Sequence, residues 1–335
     1  MRSVICCAVL MSASLSAQTH PWWNEPPAGS RPYTVNAKKM PLISVSGNKF
    51  FDPQGKTILF RGLSIADPDK LAGQGHWNKE LFAKVKEMGT MVVRIPVHPV
   101  AWRTRTPVEY LKLLDQAVEW STDLDMYVDL DWHSIGNLTT GLFQDPMYDT
   151  SRQETYNFWR TVSRHFAGHN TIVFFELFNE PTTFRDQLGP VNWTEWKRIH
   201  EDLIAIIRAH NVHAIPLVAG FDWAYDLTPL HLAPINAEGI GYVTHPYANK
   251  RPRPWEPKWE EDFGFAAAKY PVVATEFGGF AASPYGPAII KYLEGKGISW
   301  MVWCFDPEWG PTLISNWEFQ LTPSGEFAKQ AMLAK

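Results

Sequence analysis

The chain has 335 residues, a formal net charge of −4 and 45% apolar residues. This length and apolar fraction are enough for one large domain with a full core, and a single α/β barrel fits them. The mildly acidic balance, with a pI near 6.3, argues against nucleic acid or an anionic membrane surface as a partner.

The N-terminus has the pattern of an export signal, which we assign to residues 1–17. Arg2 supplies a positive charge, residues 4–11 form a short apolar stretch, and residues 14–17 resemble a small-residue cleavage site. The apolar stretch is too short to span a bilayer. We therefore expect a secreted or periplasmic protein with no membrane anchor.

The cysteines agree with this expectation. Cys6 and Cys7 lie inside the predicted signal and leave with it, so Cys304 remains alone and no intrachain disulfide is expected. A single cysteine at a strand end is usually a packed, small apolar side chain.

A Pro-rich segment follows at residues 18–40, and its prolines rule out a helix. We expect it to lie on the surface as an irregular extension. The main domain, residues 41–335, then opens with a small hairpin at 41–45 and 49–51 around a Ser-Gly-Asn turn. Such a hairpin is suited to seal the bottom of a barrel.

Eight apolar runs alternate with amphipathic helical stretches in the rest of the chain. Because parallel strands need crossover helices, this alternation predicts a single (β/α)8 barrel. The strands are predicted at 58–60, 91–93, 126–128, 172–175, 215–218, 240–243, 272–274 and 298–302. Helices are predicted at, among others, 79–87, 107–124, 153–166, 193–210 and 287–293.

Two of these strands lead into a glutamate, and this is the most informative feature of the sequence. One strand is followed by Asn179, Glu180 and Pro181, and the other by Glu276 and then Phe-Gly-Gly. An acid that follows a buried strand and precedes Pro or Gly lies at the rim of the sheet. Two acids that face each other across a pocket are the groups that cleave a glycosidic bond.

Several other strands end in side chains that polarise, bind or stack. Because the active sites of such barrels lie at the C-terminal ends of the strands, we expect these side chains to converge on the two glutamates. They are Arg94 after the second strand, Asp131 and His133 after the third, His245 and Tyr247 after the sixth, and Trp303 after the eighth.

In chain order, this set resembles glycoside hydrolase family 5, the cellulase-type family of retaining (β/α)8 hydrolases. The resemblance runs from about residue 41 to the end of the chain and implies one catalytic domain over 41–335. The eight positions that match the family pattern are Arg94, His133, Asn179, Glu180, His245, Tyr247, Glu276 and Trp303.

The resemblance implies a role for each position. Glu276 corresponds to the nucleophile and Glu180 to the acid/base of a double displacement, which requires carboxyl groups about 5–5.5 Å apart. Arg94 and Tyr247 are expected to favour the ionised form of Glu276. Asn179 is expected to bind the sugar 2-hydroxyl.

The two histidines, His133 and His245, are expected to hold sugar hydroxyls and to orient the two acids, and Trp303 to form the floor beneath the sugar. The two histidines lack a third ligand at a recognisable spacing, so neither a metal nor another cofactor is expected. Asp131 is expected to be a buried support. Glu176 is expected to be structural and to point to the other face of its strand or to the barrel wall.

Sixteen residues are Trp, more than core packing normally uses, and the faces of Trp side chains stack well on sugar rings. We expect about half of them to lie in the core. Among the others, Trp223 and Trp309 are the main candidates for sugar platforms. Further candidates are Trp77, Trp102, Trp132 and Trp255.

The predicted function is an exported endo-β-1,4-glucanase that acts as a monomer on a β-linked polysaccharide or oligosaccharide. Relatives that act on β-mannan, xyloglucan or β-1,3-glucan share the same residues, and a mannanase is the leading alternative. The loop with Pro307, Glu308 and Trp309 departs from the cellulase pattern and leaves glucan specificity open. A non-catalytic carbohydrate-binding barrel is the rival class, although it has no need of two acids.

Overall fold

The computed structural model describes residues 40–210, 213–280 and 284–334. The predicted signal peptide, and the predicted extension apart from Met40, lie outside these residues. In chain order, the described strands are β1 (Ser44–Ser46), β2 (Lys49–Phe51), β3 (Thr57–Ile58), β4 (Arg61–Ile65), β5 (Val92–Val97), β6 (Tyr127–Trp132), β7 (Ile135–Asn137), β8 (Leu142–Phe143), β9 (Ile172–Glu176), β10 (Glu180–Pro181), β11 (Ile215–Ala219), β12 (Gly241–Val243), β13 (Val272–Ala274) and β14 (Ser299–Phe305).

Eight of these strands form a closed parallel barrel in the order β4-β5-β6-β9-β11-β12-β13-β14, and β14 pairs with β4 to close it. The described helices are α1 (Pro68–Gly73), α2 (Lys79–Glu87), α3 (Pro99–Arg105), α4 (Pro107–Asp123), α5 (Arg152–His165), α6 (Trp193–Arg208), α7 (Trp255–Asp262), α8 (Tyr285–Lys296) and α9 (Pro323–Leu333). The predicted (β/α)8 fold is confirmed.

Local signals in the sequence set where several of the outer helices begin. The side chain of Asn78 accepts a hydrogen bond from the backbone N–H of Leu81 at 3.0 Å and caps α2. Ser151 caps α5 in the same way, and Asn192 caps α6. Each cap satisfies a backbone donor that the first helical turn leaves free. In the part of the chain that is described, no helix is both long and apolar enough to cross a membrane.

The first barrel strand lies further along the chain than predicted. The predicted strand at 58–60 does not enter the barrel, and β4 begins at Arg61. The sequence misleads here because a charged residue interrupts two apolar runs. The guanidinium of Arg61 leaves the barrel at its lower end and pairs with Glu294 at 2.8 Å. Gly62 is required next to it, since a Cβ atom would stand 2.0 Å from the carbonyl oxygen of Val92.

The predicted hairpin is present and gains a third strand, because β3 pairs with β2 to give an antiparallel sheet. This sheet covers the bottom of the barrel with a separate apolar cluster. Phe50 of β2 is buried there, and its ring centroid lies 5.8 Å from that of Phe60 and 5.1 Å from that of Phe174.

Replacing Phe50 by alanine is expected to lower the free energy of unfolding by about 3–5 kcal/mol, because it leaves a cavity beside the rings of Phe60 and Phe174. The C-terminal ends of the barrel strands lie at the opposite end of the barrel and should keep their structure where the variant is folded. Denaturant unfolding monitored by Trp fluorescence measures the loss. Phe51→Ala is the matched control, since Phe51 is only half-buried and its loss should be much smaller. Equal losses in both variants would contradict this account of the bottom seal.

A second small sheet lies at the top of the barrel and was not predicted. It consists of β10, β7 and β8 in the order β10-β7-β8. The backbone N–H of Glu180 donates to the carbonyl oxygen of Ser134 at 3.0 Å, and that of Asn179 donates to Trp132 at 3.1 Å. The short strand β10 is therefore held in place by backbone hydrogen bonds, and its first residue is Glu180.

Candidate active site

The eight residues that match the family pattern converge at the C-terminal ends of the barrel strands. The centre of the group is the carboxyl pair, Glu180 after β9 and Glu276 after β13. One oxygen of each acid and a ring nitrogen of His245 all lie within 4.8 Å of one another. Both acids are buried, with 8% and 7% of their surface exposed. The pair is thus close enough for both groups to act on one bond.

Glu276 is held at both carboxylate oxygens. The Nη1 atom of Arg94 donates to Oε2 at 2.8 Å, and the hydroxyl of Tyr247 donates to Oε1 at 2.8 Å. Burial and the negative charge of Glu276 raise the pKa of Tyr247 well above its usual value, so the phenol keeps its proton and stays a donor. Both carboxylate oxygens of Glu276 are therefore fixed in position, one by a cation and one by a phenol.

Arg94 is fully buried and links the carboxyl pair to the inside of the barrel. Its guanidinium makes two hydrogen bonds to Glu176, at 2.8 and 2.9 Å, and one to the amide oxygen of Asn179 at 2.7 Å. It also lies 2.9 Å from Asp131. Burial alone would lower the pKa of Arg94, but the surrounding carboxylates raise it well above its usual value. This cation is therefore permanent.

Glu176 occupies a different place from the one predicted. It points into the barrel rather than to the other face or the wall, because it is aligned with Asp131 on the neighbouring strand. Burial would raise the pKa of Glu176, but Arg94 and His245 lower it to about 2. It binds the guanidinium of Arg94 from inside the barrel, beneath the carboxyl pair, and its structural role stays a prediction.

Glu180 has a different environment from Glu276. Its Oε1 atom lies 3.0 Å from Nδ1 of His245. Burial, together with the charge of Glu276, raises the pKa of Glu180, although the contact with His245 works in the opposite direction. The two carboxyls are thus placed in contrasting surroundings: a cation contacts Glu276, whereas burial favours a proton on Glu180.

His245 connects Glu180 with the buried Glu176 beneath the carboxyl pair. Its Nε2 atom lies 2.9 Å from the hydroxyl of Thr275, which donates to Glu176 at 3.1 Å. Burial would lower the pKa of His245, but the contacts with Glu176 and Glu180 raise it to about 9. At neutral pH the imidazole therefore carries both protons and offers no lone pair. Glu180, His245 and Glu276 have the atoms to bind a cation only once this proton is lost.

An aromatic wall lies beside the carboxyl pair and lines a cavity of about 380 Å³. Trp303 is stacked in parallel with His133, at 5.4 Å between centroids, and with Trp309, at 6.1 Å. His133 is fixed by Asp131, whose Oδ2 atom is 2.6 Å from Nδ1. Burial and the neighbouring His98 lower the pKa of His133 well below its usual value, so the ring is neutral.

The predicted Trp platforms divide into three groups. Trp309 lines the cavity, and Trp223 lies on the Glu180 side, where its backbone N–H donates to the carbonyl oxygen of Pro181 at 3.1 Å. Trp102 and Trp132 are wrong as platforms, because both are buried against Phe158 in the core.

Trp77 and Trp255 are half-buried and also lie outside the cavity. Trp77 packs against Phe82 and Trp120, and Trp255 has Arg253 over its ring at 4.5 Å. Seven Trp side chains are buried in the described residues, namely Trp102, Trp132, Trp159, Trp196, Trp259, Trp300 and Trp303.

Sequence reasoning missed several residues of the site, some in loops and some directly after a strand. His98 and Tyr148 line the cavity, and Thr275 lies beneath the carboxyl pair. Lys250 lies on the Glu180 side. His98 follows β5 directly, so its position at a strand end was a usable signal, whereas Tyr148 comes from a short 3-10 helix, Pro146–Tyr148, after β8.

A parallel (β/α)8 barrel with two opposed carboxyl groups at its C-terminal mouth is the arrangement of the barrel glycosidases. Comparison with known families agrees with this class. The family model for cellulase, glycosyl hydrolase family 5, matches residues 51–308. The chain therefore belongs to glycosyl hydrolase family 5, and the predicted resemblance is confirmed.

Individual relatives give the same picture. The chain is similar to a β-glucanase of Saccharophagus degradans solved in complex with cellotetraose, at 46% identity and a TM-score of 0.88, covering 94% of this chain and 99% of that one. It is 24% identical to an endoglucanase of Clostridium saccharobutylicum over 87% of this chain. It is 27% identical to Endoglucanase A of Butyrivibrio fibrisolvens over 62% of this chain. It spans 64% and 45% of the lengths of these two curated relatives.

Proposed function

We propose that the chain is a retaining endo-β-glucanase that hydrolyses internal β-1,4 linkages of a glucan by double displacement. The observation that carries this proposal is the carboxyl pair, whose nearest oxygens lie within 4.8 Å. Retaining glycosidases have carboxyl groups about 5–5.5 Å apart, whereas inverting enzymes leave about 6.5–9.5 Å for a water molecule.

In the first step, the carboxylate of Glu276 attacks the anomeric carbon and forms a glycosyl ester. Glu180 donates its proton to the glycosidic oxygen, so the leaving sugar departs as a neutral alcohol. The contacts with Arg94 and Tyr247 hold both oxygens of Glu276 and orient the carboxylate for attack. Burial raises the pKa of Glu180 and so favours its protonated form. The contrasting environments of the two acids thus support one role for each.

In the second step, Glu180 accepts a proton from water, and the resulting hydroxide attacks the anomeric carbon from the side that the leaving sugar vacated. The ester bond breaks, and Glu276 regains its negative charge. Two inversions at one carbon give net retention. Asn179 is held by Arg94 through its amide oxygen, which leaves its amide N–H₂ to bind the sugar 2-hydroxyl.

The sugar at the cleavage point is proposed to lie on Trp303, with His133 at its side. His133 is neutral, and its Nδ1 is occupied by Asp131, so Nε2 is left for a hydroxyl group. Trp309 extends the aromatic wall beyond Trp303, and Trp223 is proposed to contact the leaving sugar on the opposite side.

A β-1,4-linked glucan is proposed as the substrate because the Saccharophagus degradans β-glucanase, 46% identical over almost its whole length, was solved with cellotetraose. The curated relatives are named endoglucanases. The choice between a glucan and the alternatives of mannan, xyloglucan and β-1,3-glucan is expected to depend on the rim of the cleft. Glu308 and Trp309 line the cavity there.

The test is reducing-sugar release from carboxymethyl cellulose, barley β-glucan, glucomannan, galactomannan, xyloglucan and xylan. Turnover is expected on the cellulose derivative and on β-glucan, and it should be absent in Glu276→Ala. Glu119→Ala is the matched control, since Glu119 is exposed on the outer helix α4. Turnover of galactomannan alone would replace glucan by mannan as the substrate. Binding without turnover of any polymer would favour the non-catalytic barrel.

The rate is expected to follow a bell-shaped dependence on pH, since Glu276 must be charged and Glu180 protonated. Because the pKa of Glu180 is raised, its proton persists to higher pH than that of an ordinary glutamate, and the alkaline limb moves upward accordingly. The pH profile of kcat/KM on cellotetraose measures this limb. In Glu180→Gln the limb should disappear for an aryl cellobioside, whose leaving group needs no acid. An unchanged limb in that variant would remove Glu180 from the role of acid.

Three further features are also proposed. Residues 1–17 are proposed to direct export, by their sequence pattern alone. The domain limits of 41–335, after a surface extension at 18–40, are proposed because the family match begins at residue 51 and the bottom seal begins at β1. A monomeric state is proposed and is checked by light scattering of the purified protein.

A further inference from the structure

The loop after β12 contacts both members of the carboxyl pair and then continues to a lysine. His245 contacts Glu180, and Tyr247 contacts Glu276. Backbone hydrogen bonds from Tyr247 to His245 and from Lys250 to Tyr247, at 2.9 and 3.1 Å, fold this loop into successive tight turns. The position of Lys250 is therefore fixed relative to both acids.

The ammonium group of Lys250 is largely buried, with 13% of the side chain exposed. It donates to the backbone carbonyl oxygen of Asp222 at 2.6 Å, and it lies 3.5 Å from the carboxylate of the same residue. It also lies 4.5 Å from the ring centroid of Trp223. An ammonium has three donors. One bonds the backbone carbonyl of Asp222 and a second faces the carboxylate of the same residue, so among the described residues one donor remains for a ligand.

The turn that Lys250 holds is unusual. Asp222, Trp223 and Ala224 have consecutive positive φ angles of 55°, 56° and 59°, a conformation that costs each non-glycine residue some stability. The turn is fixed from two sides: Lys250 bonds its first carbonyl, and the indole N–H of Trp223 donates to Gln144 at 2.8 Å. Strained turns of this kind occur where a side chain must be aimed.

The charge of Lys250 also reaches Glu180. The charged groups that face Glu180 are His245, Glu276 and Lys250. The neutral phenols of Tyr148 and Tyr247 face it as well. Glu276 favours the protonated acid, whereas His245 and Lys250 favour the ionised form. In the glycosyl-enzyme, Glu276 is a neutral ester and no longer favours the protonated form of Glu180. The charges of His245 and Lys250, which favour ionised Glu180, remain.

We propose that Lys250 is a positioning residue for the leaving-sugar side of the cleft: it holds Trp223 in place and helps Glu180 change from acid to base between the two steps. This inference rests on the proposed function, because it assigns the second step to Glu180. The remaining donor of its ammonium group points to a hydroxyl group of the leaving or incoming sugar as the ligand.

The test compares Lys250→Met, which removes the charge at similar volume, with Lys250→Arg, which keeps it. Lys258→Met is the matched control, since Lys258 is exposed and pairs only with the nearby Glu261 among the described residues. The alkaline limb of kcat/KM should move to higher pH in Lys250→Met and return in Lys250→Arg. With cellotetraose kcat/KM should fall about tenfold, the size of a lost charge-assisted hydrogen bond.

An aryl cellobioside separates positioning from general damage. Its leaving group lacks sugar hydroxyls, so its kcat/KM should change by less than about threefold, which corresponds to less than 0.7 kcal/mol. Below the pH optimum, Lys250→Met should release a burst of the phenol followed by a slower steady rate, because the base of the second step stays protonated. Equal losses of kcat/KM on both substrates, with the alkaline limb unmoved, would overturn the inference. Lys250 would then have only a structural role.

A titration without turnover keeps this inference separate from the proposed function. The carboxyl carbons of the glutamates, labelled with ¹³C, are followed by NMR against pH in the wild type, in Lys250→Met and in Glu180→Gln, which assigns the Glu180 signal. Glu180 should titrate at higher pH in Lys250→Met. An identical titration in both proteins would overturn the link between the two residues, even if the enzyme hydrolyses glucan. A shifted titration in a protein that cleaves no polymer would support the link and refute the proposed function.

Discussion

Replacing Glu276 by glutamine is expected to lower kcat on barley β-glucan by about 10⁴-fold or more, because the glycosyl ester can no longer form. Cellotetraose should still bind, since the Trp303 floor and the hydroxyl-binding groups are unchanged. The fold should also persist, because Arg94 keeps Glu176 and Asp131 as partners. Steady-state kinetics and calorimetric titration with cellotetraose measure the two quantities.

A chemical rescue distinguishes the nucleophile from a residue that merely supports the site. In Glu276→Gly, azide should occupy the vacated space and attack an aryl β-cellobioside, displacing the phenol and giving the α-glycosyl azide. This product has the inverted configuration because only one displacement occurs. The matched variant Glu176→Gly removes the neighbouring buried acid and should show no rescue. A β-configured azide from Glu276→Gly would contradict the assignment.

The strand ends were predictable because a barrel converts order along the chain into proximity in space. Glu180 and Glu276 are far apart in the sequence, yet both follow short buried strands, β9 and β13, that end at the same mouth. The (β/α)8 alternation was therefore enough to predict that Glu180 and Glu276 lie close together. Their roles remain predictions, because those roles depend on contacts with Arg94 and His245 that no local pattern encodes.

The errors have a common cause, since local alternation does not specify which neighbouring strand a side chain meets. Glu176 was assigned to the wrong face because strand periodicity was applied outward from Glu180, across a segment that has already left β9. Trp132 was taken for a sugar platform, but it points outward from β6 onto Phe158 of α5. Burial of that kind depends on which helix packs on which strand.

The loops are the part that the sequence could not supply. Tyr148 and Lys250 reach the site from segments whose path depends on long-range contacts. Trp223 was a candidate from the sequence, but its placement depends on the hydrogen bond to Gln144. Three consecutive left-handed residues, beginning at Asp222, carry none of the glycines that normally signal this conformation. These are also the residues in which the substrate preference of the cleft is expected to lie.

Replacing Arg94 by methionine is expected to lower the free energy of unfolding by about 3–5 kcal/mol, because it leaves buried carboxylates without their cation. Glu176 loses two hydrogen bonds, and Glu276 loses one. The activity should fall by about 100- to 1,000-fold, the loss expected when a preorganised charge is removed from an active site. Urea unfolding and kcat on β-glucan measure the two losses. Arg61→Met is the control, because it removes a paired arginine at the opposite end of the barrel.

The pH dependence of this loss tests its electrostatic origin. Arg94 lowers the pKa of Glu176 to about 2 against the burial that would raise it. A lowered pKa contributes stability above the ordinary value of 4.5, and this contribution is lost as the pH falls towards 2. The difference in stability between wild type and Arg94→Met should therefore be greatest near neutral pH and shrink in acid. Adding Glu176→Gln to Arg94→Met should restore part of the stability. The double variant no longer buries a carboxylate that lacks its cation. A constant difference across this pH range, or strict additivity of the two substitutions, would show that Arg94 stabilises the barrel by packing rather than by its charge.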